Sequence, residues 1–219
     1  MTNSGSRPTI KIDLGCGDGK VKGAIGVDNI RIPGVDIVAD LNHGLPFRDN
    51  SVDAVVVFHI LEHVDNFLDT MNEIWRVCKE GAYVHVRVPH AASTFVTWKD
   101  PTHRRGLSIA TFAYFDDTYF DGAAFAYYAE ANFLIEHAQL NFSLTPRDKN
   151  VVLPWPRALA GALFHSLANR KRRWQYFCER FWGPIVGIEE AVLTMRAQKA
   201  PRPSKLPTAS RDEISALKR

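Results

Sequence analysis

A short apolar strand followed by three alternating glycines constrains this chain more than any other feature. The strand covers residues 9–14, and the glycines are Gly15, Gly17 and Gly19. A backbone without Cβ atoms can approach a ligand closely and tolerates positive φ angles. A second short strand ends in Asp28, a carboxylate placed to accept hydrogen bonds from a ribose diol. Because open α/β sheets bind ligands where their strands end, the pattern predicts a nucleotide-type site.

The spacing of the glycines and the acid separates two kinds of nucleotide site. A dinucleotide fingerprint reads G-x-G-x-x-G and has an acid about 20 residues later. Here Lys20 occupies the third glycine position, and Asp28 follows the glycine turn much sooner. A crossover between parallel strands usually needs roughly ten to twelve residues or more. The connector over residues 15–23 is shorter, so we expect at most one helical turn in it.

The motifs that follow resemble the type 11 group of class I S-adenosylmethionine (SAM)-dependent methyltransferases. They come in the order typical of that group: Val27-Asp28, Asp40-Leu41, Leu45-Pro46-Phe47, Asp53 with an apolar strand, Leu61-Glu62-His63-Val64 and Arg76-Val77-Cys78-Lys79-Glu80-Gly81. Glu80 and Ala82 replace a proline and a glycine of the last motif. The resemblance is strongest over residues 9–90. It implies an α/β, Rossmann-like class I methyltransferase fold with about seven strands, a mostly parallel sheet and helices on both faces.

The 219 residues are enough for one domain with its own core. The polar residues 1–8 predict a flexible N-terminus, and residues 9–196 the SAM-dependent methyltransferase domain. Residues 151–180 predict a helical basic insertion before the last strand. Residues 197–219 are rich in Pro, Ser, Lys and Arg, which predicts a disordered basic tail.

Periodicity predicts a helix over residues 65–78 with Asp65 as its N-cap, and a sixth strand over residues 133–144. The resemblance implies a last strand over residues 186–195 that lies antiparallel beside the sixth. An amphipathic helix over residues 156–170 has its apolar face on Leu159, Leu163, Phe164 and Leu167. We expect this helix to pack on the sheet and the basic turn 170–173 to be solvated. The alternative is a lid, or a patch for an anionic substrate or a membrane surface.

The resemblance implies SAM as the cofactor and assigns residues to it. Asp28 is expected to hold the ribose hydroxyls, and Asp40 to accept from the adenine amino group with Leu41 against the ring. Phe58 and His59 are expected near the methyl group that is transferred. The predicted cofactor-binding residues lie at the ends of the first four strands: Asp13, Gly15, Cys16, Gly17, Asp28, Asp40, Leu41, Phe58 and His59.

Methyl transfer from a sulfonium is an in-line displacement in which the cofactor brings the leaving group. The protein therefore supplies mainly alignment and a dry site. An oxygen or nitrogen acceptor also needs a base, and neutral imidazole suits that role near pH 7. The candidate catalytic residues are His59, His90 and His103. His103 belongs to Asp100–Arg105, a segment that similar methyltransferases carry near the substrate mouth.

The resemblance also implies a small-molecule or glycan-type acceptor that is methylated at oxygen. Two alternatives remain. The segment from His59 to His63 matches H-x-x-E-H, the motif of an inverted zinc protease, in which both histidines bind zinc and Glu62 is the base. The methyltransferase order accounts for the same residues, so we assign no metal ligand and expect Glu62 and His63 to be structural. The second alternative is a SAM-binding partner protein without catalysis.

Charge and cysteine content limit the partners and the compartment. Residues 147–180 carry eight Lys/Arg against two acids, while the whole chain has a net charge of +3. This segment leaves an anionic acceptor or peripheral membrane contact open, and without a recognised binding module nucleic acid is not expected. The three scattered cysteines favour a reducing compartment. With neither a signal peptide nor a spanning segment in view, we expect a cytoplasmic protein.

Overall fold

The computed structural model describes residues 9–119, 128–142, 155–182 and 187–200. Seven strands form one sheet, in chain order: β1 Lys11–Leu14, β2 Ile25–Asp28, β3 Ile37–Val38, β4 Val52–Phe58, β5 Cys78–Pro89, β6 Phe133–Phe142 and β7 Ile188–Ala197. Their spatial order is β3-β2-β1-β4-β5-β7-β6. Only β7, among these strands, runs antiparallel to its neighbours. The predicted mostly parallel α/β sheet is confirmed, as is the antiparallel last strand beside the sixth.

Five α-helices accompany the sheet in the described ranges: α1 Phe67–Val77, α2 Thr94–Trp98, α3 Ile109–Ala113, α4 Trp155–Ala168 and α5 Arg172–Phe177. A π-helical turn, Cys178–Trp182, directly follows α5. The connector between β1 and β2 contains turns and no helix, as its length predicted. The cap of α1 is Asn66, whose side chain accepts from the Asp69 amide. The predicted cap, Asp65, is wrong by one residue, and its carboxylate pairs with Arg104 instead.

The core forms because the central strands are apolar on both faces. Val55 and Val57 of β4 are fully buried, as are Val84 and Val86 of β5. Strands covered on both faces read as continuous apolar runs, which is how this stretch was recognised in the sequence. No helix within the described ranges is long and apolar enough to cross a bilayer.

Helices α4 and α5 cover the edge of the sheet. The side-chain amide of Asn169 bonds both backbone groups of Leu140 on the edge strand β6, at 2.7 and 2.9 Å. Arg172 donates to the Ile135 carbonyl of the same strand at 2.8 Å. Edge strands carry unpaired backbone groups, and covering them prevents edge-to-edge association. Polar side chains of this helical segment therefore face the sheet.

The leucines of α4 consequently lie at the surface. Leu159 is 63% exposed, Leu163 57% and Leu167 37%. The expectation that this apolar face packs on the sheet is therefore wrong, because the helix meets β6 through hydrogen-bonding groups near its C-terminus. The side chain of Phe164 and the first residues of the predicted insertion, 151–154, lie outside the described part of the chain.

The chain remains attached to the domain beyond the predicted boundary at residue 196. Ala197 is the last, fully buried residue of β7. The Gln198 carbonyl accepts from the Trp75 indole at 2.9 Å, and the Lys199 ammonium lies 4.0 Å from the centre of that ring. These contacts correct the predicted start of the tail. Residues 201–219 and the predicted flexible residues 1–8 lie outside the described ranges.

Arg76 ties the loop before β4 to helix α1. Its guanidinium donates to the Glu73 carboxylate at 2.7 and 2.8 Å and to Asp49 at 2.6 Å. It also donates to the carbonyls of Leu45 and Phe47, at 3.1 and 3.0 Å. The carboxylates, Glu73 foremost, raise the pKa of Arg76 above its ordinary value. The L-P-F segment and the start of the R-V-C-K segment thus form one network.

We predict that Arg76→Met lowers the free energy of unfolding by about 2 kcal/mol. The substitution leaves the Glu73 carboxylate and two backbone carbonyls without their donor, and unsatisfied groups of this kind cost about 1–3 kcal/mol each when buried. Because this site is partly exposed, the expected loss in the free energy of unfolding is smaller than the sum of these costs. Urea denaturation measures the change. The matched control is Arg48→Met, at an exposed arginine of the same loop, where we expect a change within about 0.5 kcal/mol. Equal losses in both variants would contradict the network's role.

Candidate active site

An open cleft lies where β1, β2 and β4 end at their carboxyl termini. Ten residues from four loops line it: Gly15, Asp28, Asn29, Ala39, Asp40, Leu41, Asn42, Ile60, His63 and Val64. Four of the nine residues predicted to bind the cofactor are in this set: Gly15, Asp28, Asp40 and Leu41. The sequence therefore located the cleft. The residue after Asp28 and three residues after β4 also line it, but the sequence did not predict them to bind the cofactor.

Gly15 brings the turn after β1 against the loop after β4. Its φ is +67°, a left-handed conformation that favours glycine. A Cβ at this position would lie 2.7 Å from Cγ1 of Ile60, closer than real Cβ atoms come. Gly15 also donates to the Val27 carbonyl at 2.8 Å. Glycine is required here because both the backbone angle and the neighbouring side chain exclude a Cβ.

The Asp28 carboxylate lies between the glycine turn and the cleft. Its Oδ2 accepts from the Gly17 amide at 2.9 Å, and its Oδ1 accepts from the Ile30 amide at 3.2 Å. A carboxylate oxygen has two lone pairs, so both oxygens retain capacity for a further donor. Asp28 thus combines a fixed orientation with free acceptor capacity toward the cleft it lines.

Asp40 and Leu41 form the neighbouring part of the wall. Asp40 caps a 3₁₀ turn over Leu41–His43, with Oδ1 accepting from the Asn42 amide at 2.9 Å and Oδ2 lying 3.1 Å from Nδ1 of His43. The Asn42 amide holds the pKa of this carboxyl below its ordinary value. A fixed carboxylate beside an apolar side chain is suited to an aromatic base with an amino group.

Asp13 and Cys16 lie beneath the cleft and do not line it. Asp13 is buried and accepts from the Val21 amide at 2.7 Å, so it braces the short connector between β1 and β2. Burial raises the pKa of Asp13 and that of the Cys16 thiol. Gly17 acts through its amide on Asp28. The direct cofactor contacts of these three residues stay a prediction, and the structure shows them outside the lining of this cleft.

His59 is held between two carboxylates. Its Nε2 lies 3.2 Å from Oε1 of Glu190, and its Nδ1 lies 3.7 Å from Oε1 of Glu62. These carboxylates, Glu190 foremost, raise the pKa of His59 to about 9. An imidazolium has no lone pair to accept a proton at neutral pH. This environment is against the base role predicted for His59, which also does not line the cleft.

Phe58 is likewise engaged away from the cleft. It ends β4, and the Arg87 guanidinium lies 5.2 Å from the centre of its ring. Arg87 and Glu190 are residues that sequence reasoning missed. Arg87 belongs to an apolar strand, and Glu190 belongs to β7, far from any motif. No local signal marks either as a neighbour of the residues that end β4.

His90 supports the fold. It is 2% exposed, accepts from the Ala92 amide at 3.1 Å through Nδ1, and pairs through Nε2 with Oε1 of Glu179 at 2.9 Å. The same Glu179 oxygen accepts from the Ile109 amide at 2.7 Å. With both ring nitrogens engaged and almost no exposure, His90 is not placed to meet a substrate. This corrects its prediction as a catalytic residue.

The segment Asp100–Arg105 is fastened to the loop after β4 by its two arginines. Arg105 donates to the carbonyl of Val64 at 2.6 Å and to that of Asp65 at 2.9 Å. The Arg104 guanidinium pairs with the Asp65 carboxylate at 2.7 Å. Two distant stretches of sequence therefore form one wall. The sequence indicated this segment only by its likeness to a mouth loop.

His103 and His63 meet beside the buried carboxylate of Glu62. Their rings contact edge to face with 4.6 Å between centres. Glu62 is 1% exposed, and its Oε1 lies 3.8 Å from Nε2 of His103 and 4.0 Å from Nε2 of His63. His63 lines the cleft, so this group of three reaches the site. Through this ring contact the predicted catalytic residue His103 touches a residue that lines the cleft.

The H-x-x-E-H match does not form the site of an inverted zinc protease. Residues 59–64 form turns, whereas that motif presents its two histidines on one face of a helix. His59 turns to Glu190 instead of sharing a ligand position with His63. The zinc-hydrolase alternative is therefore not favoured.

The comparisons with known proteins agree with this geometry. A family model described as a methyltransferase domain matches residues 22–86. The match begins just after the glycine turn and includes Asp28, Asp40 and the segment 61–64. A search of curated proteins found no match.

Solved structures share the fold at low sequence identity. A SAM-dependent methyltransferase from Archaeoglobus fulgidus has 15% identity and a TM-score of 0.51, with 86% of each chain covered. The YcgJ protein from Bacillus subtilis has 15% identity and a TM-score of 0.50, covering 87% of this chain and 92% of that one. A SAM-dependent methyltransferase from Thermotoga maritima has 16% identity and a TM-score of 0.51, covering 89% and 84%.

At these identities the structural likeness establishes the fold alone, and the family match identifies the segment that carries the cleft residues. Gly15, Asp28, Asp40 and Leu41 lie in the cleft at the strand ends where such a fold binds its ligand. The chain therefore has the Rossmann-like fold of class I methyltransferases, and its residues 22–86 match the model of a methyltransferase domain.

Proposed function

We propose that this protein is a SAM-dependent methyltransferase that transfers the SAM methyl group to an oxygen of a small-molecule or glycan-type acceptor, in the cleft at the strand ends. The observation that carries the proposal is the Asp28 carboxylate. It is fixed by the amides of Gly17 and Ile30, and it lines the same cleft as Asp40 and Leu41. A ribose diol and an adenine ring require this combination of acceptors and apolar wall.

The described residues fit the cofactor. Asp28 accepts from the ribose hydroxyls, and Asp40 accepts from the adenine amino group while Leu41 packs on the ring. The missing Cβ of Gly15 lets Ile60 close the cleft from the β4 side. When bound, SAM supplies an electrophilic methyl group and a neutral thioether leaving group. The protein's part is to orient the two reactants and to exclude water.

The acceptor is proposed to enter beside His63. This residue lines the cleft and contacts His103, so polar groups from two loops meet the acceptor side. Oxygen methylation needs a group that accepts the hydroxyl proton or weakens the O–H bond of the acceptor. An imidazole nitrogen can do this, and so can a group that the imidazole binds. His59 and His90 are already engaged by carboxylates.

The protein is proposed to work in the cytoplasm. Cys16, Cys78 and Cys178 are all free and buried, which suits a reducing compartment. The non-catalytic alternative, a SAM-binding partner protein, differs from this proposal in one observable: it binds SAM without consuming it. Conversion of SAM to S-adenosylhomocysteine in the presence of an acceptor distinguishes the two.

We predict that Asp28→Asn weakens S-adenosylhomocysteine binding by at least tenfold. The amide keeps one acceptor oxygen but loses the charge, and a hydrogen bond to a charged group is worth about 1.5–3 kcal/mol. Titration calorimetry measures the affinity. Asp18→Asn is the matched control, because Asp18 is an exposed carboxylate in the same turn and does not line the cleft. Unchanged affinity in the Asp28 variant would contradict the proposed site.

Methylation at oxygen has its own test. The enzyme is incubated with SAM carrying a ¹³C-labelled methyl group and a panel of hydroxylated and aminated small molecules and oligosaccharides. We expect a labelled O-methyl signal, which carbon chemical shifts separate from N-methyl and C-methyl signals. Label found only on nitrogen or carbon would contradict the oxygen assignment and leave the cofactor site intact.

We also propose that α4 and the basic turn after it contact an anionic membrane surface. Leu159, Leu163 and Leu167 form an exposed stripe along one side of α4, and four exposed basic residues follow at 170–173. Apolar side chains beside clustered Lys/Arg are typical of helices that lie in a membrane interface.

We predict that the protein sediments with phosphatidylserine-containing vesicles at low salt and that Leu159→Glu reduces the bound fraction several-fold. A charge at this position disfavours insertion of the apolar stripe. Ile30→Glu is the matched control, because Ile30 is similarly exposed, at 60% against 63% for Leu159, but lies outside α4. No sedimentation with these vesicles, or equal loss in both variants, would contradict membrane contact.

A further inference from the structure

The carboxylate of Glu62 is the least satisfied buried group in the described part of the chain. It is 1% exposed, and neither of its oxygens has a hydrogen-bond partner among the described residues. His59 is a nearby cation, with its Nδ1 3.7 Å from Oε1, but it does not reach hydrogen-bond distance, and a buried carboxylate without a hydrogen bond is unfavourable. A third atom or ion that meets this carboxylate would remove the penalty.

The hydrogen bonds of His103 determine which of its nitrogens faces Glu62 with a lone pair. Its Nδ1 lies 2.5 Å from the carbonyl oxygen of Thr97. A carbonyl can only accept, so Nδ1 carries the proton. In the neutral ring Nε2 is then a bare acceptor, and it lies 3.8 Å from Oε1 of Glu62.

The hydrogen bonds of His63 likewise determine which of its nitrogens carries the proton. The Thr102 hydroxyl donates to the Asp100 carboxylate at 2.6 Å, so its oxygen accepts from Nδ1 of His63, at 2.9 Å. The proton of His63 is therefore on Nδ1. Its Nε2 is a second bare acceptor and lies 4.0 Å from the same oxygen of Glu62.

The Nε2 atoms of both rings and the Glu62 carboxylate thus converge without a hydrogen bond among the three. One ligand atom from each of these three residues lies within 4.8 Å of the others. We propose that Glu62, His63 and His103 bind a divalent transition-metal ion. This inference replaces the expectation from the sequence that the site contains no metal ligand.

The geometry is close to that of a coordinated ion. Bonds of about 2.0–2.1 Å in a tetrahedral zinc site place ligand atoms about 3.3 Å apart. The two nitrogen-to-oxygen separations of 3.8 and 4.0 Å exceed this value by about 0.5–0.7 Å, and all three separations lie within 4.8 Å, so the side chains must move together when the ion binds. Thr97 and Thr102 supply the outer hydrogen bonds that orient metal-ligating histidines.

The donor set indicates the class of metal. Two imidazoles and one carboxylate suit zinc and its first-row neighbours, whereas magnesium and calcium prefer oxygen ligands alone. Three protein ligands leave a coordination position for water or substrate. Because His63 lines the cleft, this position is on the side where the acceptor enters. His59 is not a ligand, since Glu190 and Glu62 hold it between them.

The use of this ion rests on the proposed function. A divalent ion that binds the acceptor hydroxyl lowers its pKa and releases its proton to solvent. The oxygen then displaces the thioether from the methyl carbon, so that one C–O bond forms and one C–S bond breaks. The sulfonium becomes neutral S-adenosylhomocysteine, and the products are the methyl ether and one proton.

The test measures Zn²⁺ binding to the full chain after EDTA treatment, by titration calorimetry and by the metal content of dialysed samples. We expect one Zn²⁺ per chain. Glu62→Gln and His103→Ala are expected to weaken it by roughly 100-fold or more, since even outer-shell changes cost 10- to 100-fold. His137→Ala is the matched control, at an exposed histidine of β6, and should bind as the wild type does.

A second measurement distinguishes the loss of metal binding from misfolding of a variant. The side-chain amide introduced by Glu62→Gln can donate to the imidazole nitrogens, so this variant is expected to fold with undiminished thermal stability. Zn²⁺ should raise the Tm of the wild type and of His137→Ala but not that of Glu62→Gln. The metal site would be overturned if the wild type held no stoichiometric Zn²⁺, or if the Glu62 and His103 variants bound Zn²⁺ as tightly as the wild type.

Binding of S-adenosylhomocysteine to the same samples keeps the two proposals separate. Zn²⁺ binding without S-adenosylhomocysteine binding would remove the methyl-transfer function and leave the metal site standing. S-adenosylhomocysteine binding without Zn²⁺ binding would overturn the metal site alone.

Discussion

The close approach of Ile60 to Gly15 is the contact on which the site depends. Because Gly15 has no Cβ, the loop after β4 lies directly against the turn after β1. This contact closes the cleft and fixes where the following residues, 61–65, can lie. Arg105 then fastens the loop after β5 to their carbonyls. The missing Cβ of Gly15 therefore sets the relative position of the loops after β1, β4 and β5.

Carboxylates that accept from backbone amides position the rest of the cleft. Asp28 holds the glycine turn, Asp40 caps the 3₁₀ turn, and Asp13 braces the connector that elsewhere in this fold class would be a helix. In each case a carboxylate fixes a short turn by accepting hydrogen bonds from backbone amides. The short connector after the glycine turn is consistent with a working site because these hydrogen bonds supply the support that the helix does not.

The sequence predicted the fold and four residues of the cleft lining because both depend on local patterns. Apolar strands, glycine spacing and Asp28 are all recognisable within a few residues. The contacts of the histidines could not be predicted, because their partners are far away in the chain. Glu190 holds His59, and Glu179 holds His90. Their partners come from the last strand and from the segment before it, which no motif marks.

Helix α4 shows a second limit of predicting structure from sequence periodicity. Its leucine stripe predicts burial, yet the helix meets β6 through Asn169, and the leucines face outward. Periodicity identifies an apolar face but not the surface that covers it. Where the neighbour is a sheet edge, its backbone groups favour polar contacts, and here the leucines remain exposed.

Hydrogen–deuterium exchange with and without S-adenosylhomocysteine tests the central claim most directly, namely that the cofactor lies in the cleft at the strand ends. We expect slower amide exchange on ligand binding in three segments, residues 16–19, 28–30 and 39–43, whose amides surround Asp28 and Asp40. We expect little change in β6 and α4. Protection that avoids these three segments while the ligand is bound would contradict the account.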